Sequence, residues 1–282
     1  MLWSRDVKTL VPFTLNFKGN CACFPFIFDE KPVTSIGIKP APSCLVSSRE
    51  AGDMIFRLPN KNREAFFRAQ GIPAEKVYSL FQVHSRDVFT LGNSNNSGQE
   101  TTLSLPLPEG FAQEGDGMIS FSSGAFLAVT VADCLPVFLL DTENGFFALL
   151  HSGWKGTGIA VKALEIMQQA GSKPEAIAAV LGPCIQSCCY KVDEERAKQF
   201  EEEFGSTAYN SGGFPLGNMI HSGSSGLYIN LQAANARLLA AAGIQHIAYC
   251  TDCTFTDTRL GSFRREGAES YTRMIAMGGL LQ

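Results

Sequence analysis

Three side chains that are able to bind a metal ion or act in catalysis lie near the ends of predicted strands. His84 closes one short apolar segment, Cys134 lies between two others, and His151 directly follows a fourth. Two imidazoles and one thiolate are a ligand set of open zinc sites, where the metal lowers the pKa of bound water and can polarise a substrate atom. No local metal-binding motif joins the three residues, so the sequence predicts this site only through a fold that brings them together.

The same residue types also serve other chemistries. Cys134 and His151 could form a nucleophile–base pair, with Asp133 or Asp116 orienting the imidazole. A set of two histidines and one cysteine also binds copper in blue copper sites. A multicopper oxidase needs many more imidazoles than the four histidines of this chain, which argues against laccase chemistry but not against a single copper ion. The structural alternative is a buried cysteine with two hydrogen-bonded histidines.

Cationic side chains could bind an anion beside these residues. The turn SGWKGTGIA places Lys155 at the start of a predicted helix, where backbone N–H groups and the helix dipole favour negative charge. Arg264 and Arg265 lie in a polar loop before the last predicted strand. Because adjacent arginines usually point apart, we expect at most one of them to enter a site.

Two further cysteine pairs have the residue types of a metal or redox site. Cys250 and Cys253 form a C-x-x-C, but no second C-x-x-C occurs to complete a closed zinc site. We therefore interpret this pair as structural. Cys188 and Cys189 are adjacent, and the sequence assigns them no role.

Apolar and amphipathic segments alternate around the candidate residues and must position them. The runs at 126–132, 136–141 and 146–150 are too short for helices and too apolar for half-exposed strands, which predicts three buried strands. Amphipathic periodicity predicts a helix over 158–171. Further strands are predicted at 77–85, 176–183, 244–250 and 270–278, with further helices at 62–70 (Asn62 as N-cap), at 193–204 and in the second part of 227–244.

The N-terminal third has a different pattern. Residues 10–38 alternate short apolar segments with Pro and Gly, which predicts two or three antiparallel strands, whereas strands and helices interleave in the rest of the chain. This combination favours a mixed-sheet α/β or α+β domain over a purely doubly wound one. No G-x-G-x-x-G follows a strand, so a dinucleotide site is not predicted.

Composition limits the class of protein. The 282 residues are 45% apolar and 18% charged, which is typical of a globular chain with a sizeable core. The net charge is −4 without a basic tract, so we expect no nucleic-acid partner. No apolar run reaches the roughly 18 residues of a membrane span. Nine cysteines without a recognisable signal peptide predict reduced thiols in a cytoplasmic protein.

Six motifs, taken together and in order, resemble the YfiH-like purine nucleoside phosphorylase family, also called the polyphenol oxidoreductase laccase family. The resemblance covers roughly residues 75–280, and the N-terminal third matches it only in general character. The motifs are QVHS (82–85), DGMIS (116–120), TVADCLPVFLLD (130–141), HSGWKGT (151–157), LGPCIQSCCYKV (181–192) and SFRREG (262–267).

This resemblance implies the fold, the metal and the activity. It implies a single domain over 1–282 with the YfiH-like cysteine-hydrolase-type fold, which has layered mixed β-sheets flanked by helices. In this domain, 1–74 is β-rich and 75–280 carries the motifs. Zinc would be held by His84, Cys134 and His151, with copper as the alternative metal. The implied activity is phosphorolysis of adenosine, inosine, guanosine and methylthioadenosine, together with adenosine deamination.

Under these implications the expected partners are purine nucleosides and phosphate. We expect Asp133 or Asp116 to move protons, and Lys155, Arg264 or Arg265 to hold phosphate. Lys155 stands where the family often has Arg, which keeps the charge but loses a bidentate grip. A Cys134/His151 thiol hydrolase and a non-catalytic zinc-binding module are the alternatives. The sequence leaves the formation of a homo-oligomer open.

Overall fold

The computed structural model of the protein describes residues 7–33, 42–56, 59–92, 113–204, 216–223 and 225–280. The helices within these residues are α1 (Lys61–Ala69), α2 (Ile159–Gln169), α3 (Glu194–Phe204), α4 (Leu231–Ala241) and α5 (Phe263–Glu266). The strands are β1 (Thr9–Phe13), β2 (Phe17–Lys18), β3 (Cys21–Phe24), β4 (Ile27–Phe28), β5 (Lys31–Pro32), β6 (Pro42–Ser47), β7 (Val77–Tyr78), β8 (Val88–Leu91), β9 (Gly117–Ser120), β10 (Phe126–Val131), β11 (Leu135–Asp141), β12 (Phe147–Ser152), β13 (Ile177–Leu181), β14 (Lys191–Val192), β15 (Ile220–Gly223), β16 (Gly226–Ile229), β17 (His246–Cys250) and β18 (Met274–Leu280).

Two large mixed sheets contain most of these strands. The first has seven strands in the order β1-β17-β13-β11-β12-β9-β8, with parallel pairs at both edges and antiparallel pairs in the middle. The second has six strands in the order β2-β3-β6-β18-β10-β7 and is antiparallel except for its last pair. A small antiparallel sheet, β14-β16-β15, and the hairpin β4-β5 complete the strands.

The two large sheets pack face to face because their strands are apolar on both faces. In β11, Phe138 and Leu140 point into the cluster between the sheets, whereas Val137 and Leu139 point to the opposite face. This period of two is the geometry of a strand, and burial on both faces explains why the sequence reads as a continuous apolar run.

Helices cover the outer faces of both sheets. Ala163 and Leu164 of α2 and Leu239 of α4 pack on the seven-stranded sheet. Phe66 and Phe67 of α1 pack on the six-stranded sheet. The resulting order of layers is helix, sheet, sheet, helix, which confirms the predicted class of layered mixed sheets flanked by helices. Within the described residues, no helix combines the length and apolarity needed to cross a membrane.

The predicted strands around Cys134 and His151 are confirmed as β10, β11 and β12, but two other predictions were wrong. The segment 77–85 is a strand only over β7. Further along, the backbone N–H groups of Val83 and Ser85 donate to the buried carboxylate of Asp116 instead of to a neighbouring strand. The N-terminal third is not wholly antiparallel either. Although β2, β3 and β6 pair antiparallel, β1 leaves them and pairs parallel with β17.

The N-cap of α1 was also predicted wrongly. Asn60, not Asn62, precedes the helix in extended conformation, and its side-chain oxygen accepts a hydrogen bond from Arg63 N at 3.0 Å. Asn62 lies inside the first turn instead. Both asparagines fit the sequence rule for an N-cap, and the turn before the helix decides between them.

Candidate active site

The three predicted metal ligands converge where the two large sheets meet. Cys134 lies in the short connection from β10 of one sheet to β11 of the other, and His151 lies near the end of β12. His84 lies in the connection from β7 to β8, which likewise passes from one sheet to the other. Pairing of β11 with β12 places His151 opposite Pro136, close to Cys134.

The side chains of these residues form one compact group. The possible ligand atoms of His84, Cys134 and His151 all lie within 4.8 Å of one another. The two imidazole rings meet edge to face, with centroids 4.9 Å apart. His84 is exposed, Cys134 half-buried and His151 buried, so the group opens to solvent on one side. Three protein ligands with one open side is the geometry of a catalytic zinc site.

Asp116 fixes both histidines. Its Oδ1 lies 2.7 Å from Nδ1 of His151, and its Oδ2 accepts hydrogen bonds from the N–H groups of Val83 and Ser85 at 3.1 and 2.7 Å. These two amides flank His84, whose backbone has a φ of +62° that non-glycine residues rarely adopt. Asp116 therefore orients the ring of His151 and stabilises the backbone that presents His84, as carboxylates behind metal-binding histidines do.

The glycine after the HS pair is required by space. A Cβ atom on Gly153 would lie 3.0 Å from Sγ of Cys134 and 3.3 Å from Cδ2 of His84. Any side chain here would push two of the candidate ligands apart. This contact explains the HSG sequence on structural grounds.

The electrostatics of the group favour a thiolate. Burial alone raises the pKa of the Cys134 thiol, but the adjacent His151 and His84 outweigh burial and lower that pKa to about 6. Burial also raises the pKa of Asp116, whereas its hydrogen bonds from His151 and the two backbone amides lower it overall. A thiolate is the form of cysteine that binds metal and the form that acts as a nucleophile.

A cavity of about 550 Å³ opens over the group. Its size lies in the range of small-molecule sites, about 300–1,000 Å³. Aromatic side chains form much of its wall, and three arginines reach it. The residues that bear on function are Gln82, His84, Asp133, Cys134, His151, Trp154, Tyr190, Arg196, Phe263, Arg264, Tyr271 and Arg273.

Asp133 lines this cavity, but both of its carboxylate oxygens are engaged. Oδ1 accepts from the hydroxyl of Thr254 at 2.6 Å, and Oδ2 accepts from the backbone N–H of Arg264 at 2.7 Å. Its backbone has a φ of +95°. Asp133 thus attaches the start of α5 to the turn that carries Cys134.

The three predicted phosphate-binding residues occupy different places. Arg264 lines the cavity, with its guanidinium 5.2 Å from the ring of Tyr190 and Nη1 donating to the carbonyl of Lys191. Arg265 points away, and its guanidinium donates to the carbonyls of Thr254, Phe255, Asp257 and Leu260. Lys155 is exposed and lies beside Trp154 in a separate, shallower depression.

The turn after Lys155, residues 156–158, does not line the cavity. The hydroxyl of Thr157 donates to the carbonyl of Gly153 at 3.0 Å, and Ile159 N donates to the carbonyl of Gly156. The turn is packed against the candidate metal group instead. Its contribution is to hold the end of β12.

Sequence reasoning missed the arginines at 196 and 273. Arg273 is paired with the carboxylate of Asp53 at 2.7 Å. Arg196 lies 4.9 Å from the ring of Trp154, and among the described residues neither it nor Arg264 forms a salt bridge with a carboxylate. Arg196 stands in the charged segment DEERAKQFEEEF, which is typical of a solvated helix face, so the sequence held no signal for it.

The remaining two histidines lie elsewhere. The ring of His221 stacks on Tyr228, and Nδ1 of His246 lies 2.9 Å from the hydroxyl of Thr9. The site around Cys134 therefore contains two histidines, which suits one open metal ion or an oriented thiolate–imidazole pair. It has too few imidazoles for the set of copper ions that a multicopper oxidase uses.

Comparison with known proteins identifies a family and several relatives. The family described as multi-copper polyphenol oxidoreductase laccase matches residues 52–280. A purine nucleoside phosphorylase of Deinococcus radiodurans is 34% identical over 222 residues, which are 78% of this chain and 76% of the relative. An adenosine deaminase from an unknown prokaryotic organism is 30% identical over 161 residues, 52% of this chain and 58% of the relative.

A solved structure resembles the whole fold. YlmD from Geobacillus stearothermophilus superimposes with a TM-score of 0.70 at 25% identity, covering 87% of this chain and 95% of that chain. This structural similarity also includes part of the N-terminal third, which contains none of the sequence motifs. The chain belongs to the multi-copper polyphenol oxidoreductase laccase family, the YfiH-like family to which its motifs point.

Proposed function

We propose that this protein is a zinc-dependent purine nucleoside phosphorylase with adenosine deamination as a second activity. The observation that carries the proposal is the placement of His84, Cys134 and His151 at a cavity with aromatic walls and two arginines that form no salt bridge within the described part of the chain. The names of the two sequence relatives support phosphorolysis and deamination respectively.

The donor set fits zinc. His84, Cys134 and His151 supply two nitrogens and a sulfur, and the carboxylate behind His151 favours the tautomer that leaves Nε2 free for a metal. When bound, zinc supplies a Lewis acid and a bound water of lowered pKa. Adenosine, inosine, guanosine and methylthioadenosine are the substrates we propose to test.

The walls of the cavity suit a purine base. Trp154, Tyr190, Phe263 and Tyr271 present aromatic surface to it. Phe263 and Tyr271 contact each other edge to face with centroids 5.0 Å apart, which fixes both rings. Flat apolar surfaces of this kind bind a heteroaromatic base through dispersion and stacking.

Phosphate binding falls to Arg264 together with Arg196. Both reach the cavity and flank Tyr190, and neither charge is neutralised by a carboxylate among the described residues. A guanidinium can hold phosphate by two parallel hydrogen bonds. Arg273 is a weaker candidate because Asp53 already pairs with it. We assign Lys155 and Arg265 no direct contact with phosphate.

The two carboxylates act through other residues in this proposal. Asp116 is fully buried and positions His151 and the backbone around His84. Asp133 positions the backbone of Arg264. With every carboxylate oxygen already accepting a hydrogen bond, neither is arranged as a free proton shuttle.

A thiol hydrolase is the second candidate, favoured by one specific observation. Cys134, His151 and Asp116 are arranged as a nucleophile, a base and an orienting carboxylate, and the Cys134 thiol has a lowered pKa. His84 argues against this candidate. Its backbone is held at positive φ to place a second imidazole beside the sulfur, which a thiol hydrolase does not need.

One experiment separates these functions. Zinc-loaded protein is incubated with adenosine with and without phosphate, and adenine, ribose 1-phosphate and inosine are measured. We expect phosphate-dependent adenine and ribose 1-phosphate in equal amounts, inosine without phosphate, and no product from Cys134→Ala. Metal-free protein that converts adenosine and water to inosine and ammonia, with no phosphate-dependent product, and that loses this activity on alkylation of Cys134 would establish the thiol hydrolase. If the protein binds one equivalent of zinc but converts no nucleoside, the result would support a non-catalytic zinc-binding module.

A further inference from the structure

We propose that Cys188, Cys189 and Cys253 form a second metal site, which binds a thiophilic d10 cation such as Zn²⁺ or Cu⁺ through three sulfurs. The three residues lie outside the cavity described above and share no ligand with His84, Cys134 and His151. Thiolates are the ligands that select these cations. The proposal does not depend on the phosphorylase function.

The three sulfurs come together through two tight turns. Backbone hydrogen bonds from Cys189 N and Tyr190 N to the carbonyl of Gln186 close the turn that carries Cys188 and Cys189. Asp257 N donates to the carbonyl of Cys253 and closes the other turn. Sγ of Cys188 and Sγ of Cys189 are 3.3 Å apart, and all three sulfurs lie within 4.8 Å of one another.

Backbone amides stabilise negative charge on the innermost sulfur. Gln186 N donates to Sγ of Cys253 at 3.3 Å. The backbone N–H groups of Thr256 and Phe255 also donate to this sulfur. A cation that binds here displaces the protons of the neutral thiols, as is general for thiolate sites.

The burial of the three residues provides both a pocket and an entrance. Cys253 is buried, Cys189 half-buried and Cys188 exposed. A cation can therefore reach the group through the side of Cys188.

A cation here would connect two segments that form the cavity wall. Cys184 and Cys253 already pair as an isolated bridge, and Thr254 N donates to the carbonyl of Cys184. Tyr190 directly follows Cys189, and Thr254, which holds Asp133, directly follows Cys253. The proposed ion would thus stabilise the positions of Tyr190 and Thr254 without contacting the substrate.

The test counts bound metal in the full chain. Protein kept reduced with a phosphine and freed of metal is titrated with Cd²⁺, and a separate sample with Zn²⁺. We expect two equivalents in the unmodified protein and one equivalent in Cys188→Ser and in Cys253→Ser. Cys23→Ser, which removes an exposed thiol on β3, is the matched control and retains two. Because Cys188 is exposed, its variant tests the proposal even where Cys253→Ser fails to fold.

A spectroscopic readout identifies the ligands. In Cys134→Ser, the remaining Cd²⁺ equivalent is expected to show ultraviolet thiolate-to-metal charge transfer with about three times the intensity per ion of a one-thiolate site. The proposal is overturned where the unmodified protein binds a single equivalent, or where the second equivalent persists in Cys188→Ser or in a folded Cys253→Ser.

Discussion

At the scale of single residues, one carboxylate organises the candidate metal group. Asp116 accepts hydrogen bonds from Nδ1 of His151 and from the backbone N–H groups on both sides of His84, so a single buried side chain determines where two of the three ligands lie. From the sequence, either Asp133 or Asp116 could orient the imidazole of His151, and the structure places Asp116 against its Nδ1.

Replacement of Asp116 tests this role. Asp116→Asn retains the size of the side chain but places an amide N–H₂ group against hydrogen-bond donors, so the geometry of both histidines is disturbed. We expect zinc affinity to fall by about 10- to 100-fold, the usual cost of losing a carboxylate behind a metal ligand. Affinity is measured by competition with a chromophoric chelator. The nearby exposed Asp87→Asn is the control, and equal affinities in the two variants would contradict the assignment.

Arg264 and Lys155 provide a matched pair for the phosphate site. Arg264 lines the cavity and Lys155 does not. A hydrogen bond to a charged group contributes about 1.5–3 kcal/mol, so we expect Arg264→Ala to raise the KM for phosphate by roughly 10- to 100-fold. Lys155→Ala should change it less than about twofold, since its charge is exposed and screened. The measurement is phosphate dependence of adenine release, and the reverse ranking would place phosphate at the turn after His151.

At the scale of elements, the sequence predicted the strands that carry the site better than the connections that shape it. The strands β10, β11 and β12 can be predicted from the sequence because burial on both faces requires continuous apolar runs. The connection around His84 could not be predicted in this way, because its backbone conformation depends on a hydrogen bond to Asp116, a residue distant in sequence. Arg196 was missed for a related reason: its approach to the cavity depends on how α3 packs, while its neighbours in sequence are those of a solvated helix.

The start of α1 offers a test at this scale. The side chain of Asn60 accepts a hydrogen bond from Arg63 N, whereas Asn62 does not cap the helix. We expect Asn60→Ala to lower the free energy of unfolding by about 1 kcal/mol, the typical contribution of an N-cap. Asn62→Ala should cost clearly less. The free energy of unfolding of both variants is measured by urea denaturation. A larger decrease for Asn62→Ala than for Asn60→Ala would support Asn62 as the N-cap, as the sequence predicted.

At the scale of the whole molecule, the candidate metal group lies at the junction of the two large sheets. Two of its ligands are carried by connections that pass from the six-stranded to the seven-stranded sheet. Residues so distant in sequence do not form a site in the unfolded chain. A metal bound here therefore stabilises the packing of one sheet on the other.

Thermal unfolding at controlled free zinc tests this consequence. A ligand that binds only the folded state adds about 2.7 kcal/mol when its concentration is 100 times its Kd. We expect the melting temperature to rise with free zinc and to fall on chelation. The measurement uses Cys188→Ser, so that the thiol group at 188, 189 and 253 does not contribute. Cys134→Ser combined with Cys188→Ser is the control, and an equal response of both proteins would show that zinc acts elsewhere.

The position of β18 has a consequence for biosynthesis. This strand, Met274–Leu280, lies in the middle of the six-stranded sheet, hydrogen-bonded to β6 on one side and to β10 on the other. A nascent chain on the ribosome cannot join β6 to β10 until residue 280 has left the exit tunnel. Until then, the apolar faces of both strands lack their partner, as is common for sheets built from distant segments. This sheet can therefore be completed only after all of its other strands have been synthesised.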